Sequence, residues 1–291
     1  MKVALVVNPL SGSHFSRKKV EGLISELKSR FSVTEFVVSD ELETNKIGVM
    51  VRDFYELVVV CGGDGTVSSI AQSLINSQTS LLVFPIGSGN DFANHLNMTN
   101  DVSLVIQNIQ RFRKVQINTI EVNNGAYYVL TIICFAFEAK VNRIASALPR
   151  FIGSMKYTVA TLIAILGRTF ETIKLSGTGI NEEGSYSLAI LANSSSFGGG
   201  MQVSNKANVF AQDLYLILVK KVSRFKLVYL FVLLLLGKHY DRKEFRQIEV
   251  QDLQIKGIEI PIRSQADGES LFEGNVSARI LKDSLLVIDC R

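Results

Sequence analysis

The chain has 291 residues, 47% of them hydrophobic, and its 31 basic and 27 acidic side chains give a formal net charge of +4. This length and apolar fraction are enough for two domains with packed cores. The mild, scattered charge would help at an anionic membrane surface, but it argues against a nucleic-acid-binding protein. Three widely spaced cysteines, Cys61, Cys134 and Cys290, form neither a disulfide framework nor a metal-ligand pattern. We therefore expect a reducing, cytoplasmic environment.

In the first 118 residues, short apolar runs alternate with segments of helical character. The apolar run near Met1 is too short for a signal peptide, and we expect it to form the first strand, over residues 3–8. The pattern predicts further strands and several helices. The strands are expected at 33–38, 57–61 and 81–85, and the helices at 17–29, 44–51 and 102–111. This order predicts a doubly wound α/β domain over residues 1–118.

The third apolar run leads into a turn with three glycines around one aspartate, Gly62-Gly63-Asp64-Gly65, followed by Thr66. Glycines let main-chain N–H groups approach a ligand closely, and a helix that follows presents unpaired N–H groups to an anion. A carboxylate among phosphates is useful when it holds a divalent cation through water or accepts the proton of an attacking hydroxyl. The turn therefore predicts phosphoryl transfer. The alternative role of Asp64 is to cap the helix.

A second glycine turn, Gly87-Ser88-Gly89, follows the next apolar run, with Asn90 or Asp91 as the predicted helix N-cap. Ligands of parallel α/β sheets bind outside the carboxyl ends of the strands, where both turns are expected to lie. Two such turns together indicate a nucleotide site.

Beyond residue 118 the pattern becomes rich in strands, and we expect a second, sheet-rich domain over residues 119–291. Strands are predicted at 126–133, 171–175, 186–192, 214–219, 258–262, 273–280 and 285–288, and helices near 153–166 and 225–236. The apolar run 227–236, flanked by basic residues, is too short to span a membrane. It favours a buried core helix, with a helix on the membrane surface as the alternative.

At several points the sequence resembles the diacylglycerol kinase catalytic domain family, which includes sphingosine kinases and bacterial lipid kinases. The matching segments run through nearly the whole chain: Asn8-Pro9-Leu10-Ser11-Gly12, Gly62-Gly63-Asp64-Gly65-Thr66, Pro85-Ile86-Gly87-Ser88-Gly89-Asn90-Asp91, Gly198-Gly199-Gly200 and Asp267-Gly268-Glu269. The first glycine turn is shared with NAD kinases, whereas the second turn and Asp267-Gly268-Glu269 favour lipid kinases. The resemblance implies a nucleotide domain, a β-sandwich domain and an active site in the cleft between them.

The resemblance also implies roles for particular residues. ATP is the expected phosphoryl donor, and Asp64 is expected beside the Mg²⁺ of the nucleotide. Asp267 or Glu269 is the candidate base for the acceptor hydroxyl, and the sequence leaves the choice open. The other candidate nucleotide contacts are Asn8, Ser11, Gly12, Ser39, Gly62, Gly63, Gly65, Thr66, Gly87, Ser88, Gly89 and Asn90. For Ser39, a surface turn is the alternative interpretation.

Two segments depart from the family pattern. Ala136 stands where relatives have a glycine, and Ala211-Gln212 replaces an Asp-Gly pair. That missing aspartate is associated with a second, structural Mg²⁺ in bacterial members, so the sequence argues against this site. Asp213 is the alternative ligand.

The interpretation that follows is an ATP- and Mg²⁺-dependent kinase acting on a lipid hydroxyl, most of all diacylglycerol, at the membrane surface. One alternative is an NAD-kinase-like enzyme acting on a soluble nucleotide. Another is a catalytically weak nucleotide- or lipid-binding regulatory protein. An exposed edge strand of the second domain could also pair two chains into a homodimer.

Overall fold

The structure is a computed structural model, and it describes residues 1–11, 14–135, 156–165, 170–267 and 269–291, with the single residues 141, 144, 147, 148 and 167. The chain divides into two compact units. The first contains Met1–Thr119 and Lys282–Arg291, and the second contains Ile120–Leu281. The predicted division after residue 118 differs from this in one respect, because the last ten residues return to the first unit.

The first unit is built on a parallel sheet. Its strands lie in the order β4-β3-β1-β2, and each neighbouring pair is parallel. These strands are β1 (Lys2–Val7), β2 (Ser32–Val37), β3 (Leu57–Gly62) and β4 (Ser80–Pro85). The helices between and after them are α1 (His14–Arg30), α2 (Glu41–Val51), α3 (Asp64–Leu74), α4 (Asp91–His95) and α5 (Val102–Arg111). The predicted α/β fold is confirmed.

Burial explains the unbroken apolar runs of this unit. Every residue of β3 and β4 is buried, as expected for parallel strands covered on both faces. By contrast β2, at the end of the sheet order, is partly exposed along its length. The central strands therefore place their carboxyl ends, and the turns that follow, at one edge of a rigid sheet.

The second unit is a β-sandwich, which confirms the predicted fold. Its strands are β5 (Lys114–Val122), β6 (Tyr127–Val129), β7 (Ile132–Phe135), β8 (Glu171–Gly177), β9 (Ile180–Ala192), β10 (Ser196–Phe197), β11 (Met201–Gln202), β12 (Leu214–Lys220), β13 (Phe245–Val250), β14 (Asp252–Gly257), β15 (Arg263–Ala266), β16 (Glu269–Glu273) and β17 (Val276–Ile288). Its helices include α6 (Lys156–Ile165) and α7 (Arg224–Leu235). The chain passes from one unit to the other within β5 and again within β17.

The long strand β9 shows how the sandwich is layered. It pairs with β8 through its first half and with β7 and β12 through its second half, always antiparallel. Ala189 and Leu191 point into the main core, whereas Ile190 and Ala192 belong to a separate cluster with Leu230 of α7. Because side chains alternate along a strand, this second cluster lies on the outer face of the sheet, beneath α7.

The predicted strand at 258–262 is wrong, because these residues form a bend between β14 and β15. A Cβ on Gly257 would lie 2.1 Å from the carbonyl oxygen of Ile260, so the chain turns back tightly there, and Pro261 follows. The runs 273–280 and 285–288 are not two strands, since β17 covers 276–288 without interruption. The predicted helix near 153–166 lies partly outside the described residues.

Candidate functional site

The carboxyl ends of β1, β3 and β4 bring three predicted loops to the same edge of the first unit's sheet. Asn8 follows β1, Gly63 follows β3, and Gly87 comes two residues after β4. The strands are adjacent and parallel, so this arrangement follows directly from the topology.

The two glycine turns touch each other. A Cβ on Gly87 would lie 2.6 Å from the Cα of Gly63, a distance that real Cβ atoms do not tolerate. Glycine is therefore required at this contact for steric reasons. The result is a narrow cradle of main chain, of the kind that can approach phosphates closely.

Asp64 opens α3, the helix that follows the first turn. Gly63 is the N-cap residue and supplies no side-chain bond, so Asp64 does not cap the helix. Instead Asp64 Oδ2 accepts the main-chain N–H of Asn90 at 2.7 Å. A Cβ on Gly89 would lie 2.8 Å from the same oxygen. The carboxylate is thus fixed between the two turns, beside the N-terminus of α3.

Asn90 holds the second turn in shape. Its backbone is left-handed, with φ of 57°, and its side-chain amide bonds both main-chain groups of Gly87 at 2.9 Å: Oδ1 accepts from the N–H and Nδ2 donates to the C=O. Asn90 occupies the N-cap position of α4 without a side-chain cap bond. The predicted cap residue therefore serves to shape the turn.

The loop after β1 is tied to α3. Asn8 Nδ2 donates to Thr66 Oγ1 at 2.9 Å, and Asn8 also accepts main-chain N–H groups from Leu10 and Ser11. Thr66 in turn covers Gly62, where a Cβ would lie 2.8 Å from the threonine Cβ. Gly12 lies outside the described residues.

The remaining predicted nucleotide contacts lie farther from the point where the two glycine turns meet, or have other partners. Ser88 is exposed at the tip of the second turn, and Gly65 is half-buried in the first turn of α3. Ser39 follows β2, but both its N–H and its hydroxyl donate to Glu43 Oε2, while Asp40 accepts from the Glu43 N–H. Ser39 therefore takes part in the N-terminal cap of α2.

In the second unit, Asp267 is held by donors from another strand connection. Its two carboxylate oxygens accept the N–H groups of Leu130 and Thr131, each at 2.9 Å, and the Thr131 hydroxyl also donates to it. Asp267 itself has a positive φ of 49°. Gly268 and the side chain of Glu269 lie outside the described part of the chain.

The segment around Ala211 and Asp213, where a second, structural Mg²⁺ would be held, forms other contacts. Asp213 Oδ1 accepts from the side-chain amide of Gln251 at 2.8 Å, and Ala211 offers no ligand. Gly198, Gly199 and Gly200 join β10 to β11, all with positive φ. Within the described ranges, no three His, Cys, Asp or Glu side chains come together to hold a metal ion. Ala136 and its neighbours lie outside those ranges.

An apolar cavity lies within the second unit, between α6, α7 and the outer face of β9 and β12. Its volume is about 80 Å³, and its lining includes Ile165, Ile190, Val219, Leu230 and Phe231. The apolar lining is typical of pockets that hold hydrophobic ligands.

His239 also lines this cavity, although no motif in the sequence singles it out. It is buried, its two ring nitrogens have no hydrogen-bond partner among the described residues, and the ring packs against Tyr240 and Phe245. Burial lowers the pKa of His239, and the nearby carbonyl groups of Val203 and Leu233 partly oppose this. A neutral imidazole therefore faces an apolar space.

Sequence reasoning also missed Thr131 as the partner of Asp267. The two residues are 136 positions apart, and only the antiparallel pairing of β7 with β15 brings them together. No local pattern in the sequence marks this contact.

Comparison with known proteins gives matches along nearly the whole chain. The model of the diacylglycerol kinase catalytic domain matches residues 2–122, and that of the YegS C-terminal NAD kinase beta sandwich-like domain matches residues 131–289. A diacylglycerol kinase of Mycobacterium tuberculosis is 26% identical over 286 residues, which cover 95% of this chain and 92% of the relative.

Solved structures agree on the fold. A diacylglycerol kinase from Bacillus anthracis matches with a TM-score of 0.74 at 17% identity, covering 99% of this chain and 96% of its own. An NAD kinase from Archaeoglobus fulgidus in complex with ATP matches with a TM-score of 0.56 at 14% identity, covering 99% and 93%. At these identities the likeness concerns the fold alone.

Proposed function

The chain belongs to the diacylglycerol kinase family of lipid kinases, and from this premise we propose that it transfers the γ-phosphoryl group of ATP to the free hydroxyl of diacylglycerol. The observation that carries the lipid acceptor is the almost wholly apolar lining of the cavity in the second unit. A soluble nucleotide acceptor would leave its polar surface facing this lining, which is unfavourable.

The donor site is proposed at the glycine turns of the first unit. Main-chain N–H groups of Gly63, Gly65 and Thr66 stand at the N-terminus of α3, where four N–H groups have no partner within the helix. The helix dipole and these donors favour a polyphosphate. The contact of Gly87 with Gly63 supports this assignment, because it keeps side chains out of the cradle. The family relation supports ATP as the donor.

The carboxylate of Asp64 in this cradle fits an Mg²⁺ ion that arrives with the nucleotide. Mg²⁺ usually keeps several waters and is held by one or two carboxylates together with substrate phosphates. Asp64 is fixed beside the turns by the Asn90 N–H, so it is suited to hold such an ion through water. When bound, the ion neutralises the charge of the phosphates during transfer.

For the acceptor we propose that Glu269 takes the proton of the lipid hydroxyl and that Asp267 positions the turn. The reason is that both oxygens of Asp267 accept hydrogen bonds, from Leu130 and Thr131. The hydroxyl oxygen bonds to the γ-phosphorus, the bond to ADP breaks, and the proton passes to the carboxylate. Because phosphoryl transfer is loose, an ordinary carboxylate can accept the proton late in the reaction.

The test is transfer of labelled phosphate from Mg²⁺-ATP to diacylglycerol in mixed micelles, with sphingosine, ceramide and NAD as competing acceptors. We expect labelled phosphatidic acid, and none with Asp64→Asn. Label on NAD would point to a nucleotide kinase. ATP binding without transfer to any acceptor would point to a regulatory binding protein.

A further inference from the structure

The helix α7 is apolar on both of its faces, which is unusual for a helix with a solvent-exposed side. One face is buried and lines the cavity with Leu227, Leu230 and Phe231. The opposite face follows helical spacing, and its large side chains are all exposed. These are Phe225, Val228, Tyr229, Val232, Leu235 and Leu236, which we call the outer face of α7.

The exposure of this face is not marginal. Phe225 is 90% exposed and Leu236 is 61% exposed, at opposite ends of the helix. On α6, which also lines the cavity, Leu162 and Ile163 are exposed as well. Exposed apolar surface of this extent marks an interaction site more often than chance exposure.

Positive charge is concentrated around the same helix. Residues 220–244 contain seven basic and two acidic side chains, a net charge of +5, whereas the whole chain carries +4. The basic residues are Lys220, Lys221, Arg224, Lys226, Lys238, Arg242 and Lys243. All are exposed except the half-buried Lys226, which pairs with Glu244 at 2.9 Å. The rest of the chain is therefore slightly acidic, and the charge that looks scattered in the sequence belongs to one segment.

We propose that the outer face of α7 docks onto the surface of an anionic phospholipid bilayer. Apolar side chains between basic ones match the boundary between acyl chains and anionic headgroups. Each Lys or Arg near such a surface strengthens the attraction, and the buried apolar area adds to it. A second copy of the chain is a poor occupant, because it would bring a segment of equal positive charge face to face with this one.

Among the described helices, none is long and apolar enough to cross a membrane. The docking proposed here is an association with the bilayer surface. Its purpose rests on the proposed function. The same helix presents one face to the bilayer and the other to the cavity, so α7 is the wall between the source of the lipid and the place where its chain would be held.

The test is sedimentation of the full chain with phosphatidylcholine vesicles, with and without phosphatidylglycerol. We expect binding that requires phosphatidylglycerol and weakens with added salt. Phe225→Ser/Leu236→Ser and Lys238→Glu/Lys243→Glu should each lower it at least about tenfold. The matched control is Leu42→Ser/Val49→Ser on α2, where the side chains are 66% and 69% exposed, and it should bind as the unchanged protein does.

Equal binding to vesicles without phosphatidylglycerol, or equal losses in the control, would overturn the proposal. So would self-association that Phe225→Ser/Leu236→Ser abolishes, which would make the face a dimer interface. Transfer to a dispersed short-chain diacylglycerol separates the two proposals. Phe225→Ser/Leu236→Ser should leave this phosphoryl-transfer activity unchanged. If the unchanged protein binds vesicles but does not phosphorylate the dispersed lipid, the proposed kinase function is wrong and the docking proposal stands.

Discussion

At the scale of single residues, the donor site depends on contacts that glycine alone permits. The sequence indicated that the turns at Gly63 and Gly87 share a sheet edge, because each follows a strand-like run. It could not give their separation, which depends on the register of β3 with β4 and on the amide of Asn90. The structure adds that Asp64 bonds to the second turn and does not cap its own helix.

Gly87→Ala tests this contact. The new Cβ would lie 2.6 Å from Gly63, so we expect a loss of about 1–3 kcal/mol in the free energy of unfolding and weaker ATP binding. The matched control is Gly22→Ala in α1, where the nearest atom to the new Cβ is 3.9 Å away. That change should stabilise by about 0.5–1 kcal/mol. Unaltered ATP affinity in Gly87→Ala, measured by calorimetry, would contradict the cradle.

The variants Asp267→Asn and Glu269→Gln test whether Asp267 positions the turn and Glu269 accepts the proton of the lipid hydroxyl. An amide at 267 would turn its own N–H group toward the donors of Leu130 or Thr131, and we expect a lower melting temperature with a cost of about 1–3 kcal/mol. Glu269→Gln should keep the melting temperature and lose about a hundredfold or more in turnover. A folded, inactive Asp267→Asn beside an active Glu269→Gln would reverse the assignment.

The pH dependence of stability should report on His239. Its pKa is lowered in the folded protein, so the unfolded chain binds more protons once the pH falls below about 6.5. The free energy of unfolding should therefore fall as the pH drops through that value. His239→Leu should remove part of this dependence and, by removing an unpaired buried polar group, preserve or raise stability at neutral pH. Identical pH profiles by chemical denaturation would refute this.

At the scale of elements, most strands could be predicted and a few could not, for identifiable reasons. The buried runs of β3 and β4 are unmistakable, because nothing polar interrupts them. The alternation at Ile258 and Ile260 resembles a strand, but the tight turn at Gly257 leaves both side chains exposed. The sequence pattern predicts two strands at 273–280 and 285–288, whereas β17 is one strand that includes Asp283. Asp283 has a positive φ of 50°, yet the strand continues, with the Asp283 N–H bonded to Asn118.

The cap of α2 gives a prediction for Ser39. Since its hydroxyl bonds to Glu43, Ser39→Ala should cost less than about 1.5 kcal/mol and leave the ATP dissociation constant within twofold. Asp40→Ala should cost about 1 kcal/mol by removing the N-cap bond, again without effect on ATP. A tenfold weaker ATP affinity in Ser39→Ala at unchanged stability would instead place Ser39 at the nucleotide.

At the scale of the whole molecule, the two units are interleaved along the chain. The end of β17 pairs with β4 at Val287 and Leu81, and Thr119 bonds to Ser284 through their hydroxyls. Leu285 and Ile288 are buried as well. The change in sequence pattern predicts a domain boundary near residue 118. The pattern alone does not reveal that residues 282–291 belong to the first unit.

This return predicts which fragment folds. Residues 1–119 alone lack the strand beside β4, and each missing buried side chain costs about 1.5–3 kcal/mol. Residues 1–119 joined by a flexible linker to 282–291 should unfold cooperatively at a clearly higher temperature. Equal melting curves for the two fragments, by circular dichroism, would show that the last segment contributes nothing to the first unit.

The path of β17 also sets the order of events on the ribosome. The first unit is translated first, yet the strand that covers the side of β4 appears only after residues 120–281 have been made. At 5–20 residues per second this delay is about 10–30 s. During that interval the nascent chain has an open sheet edge at β4, which is a site for mispairing with neighbouring chains on a polysome. The unit that holds the phosphate-binding turns is therefore begun first and completed last.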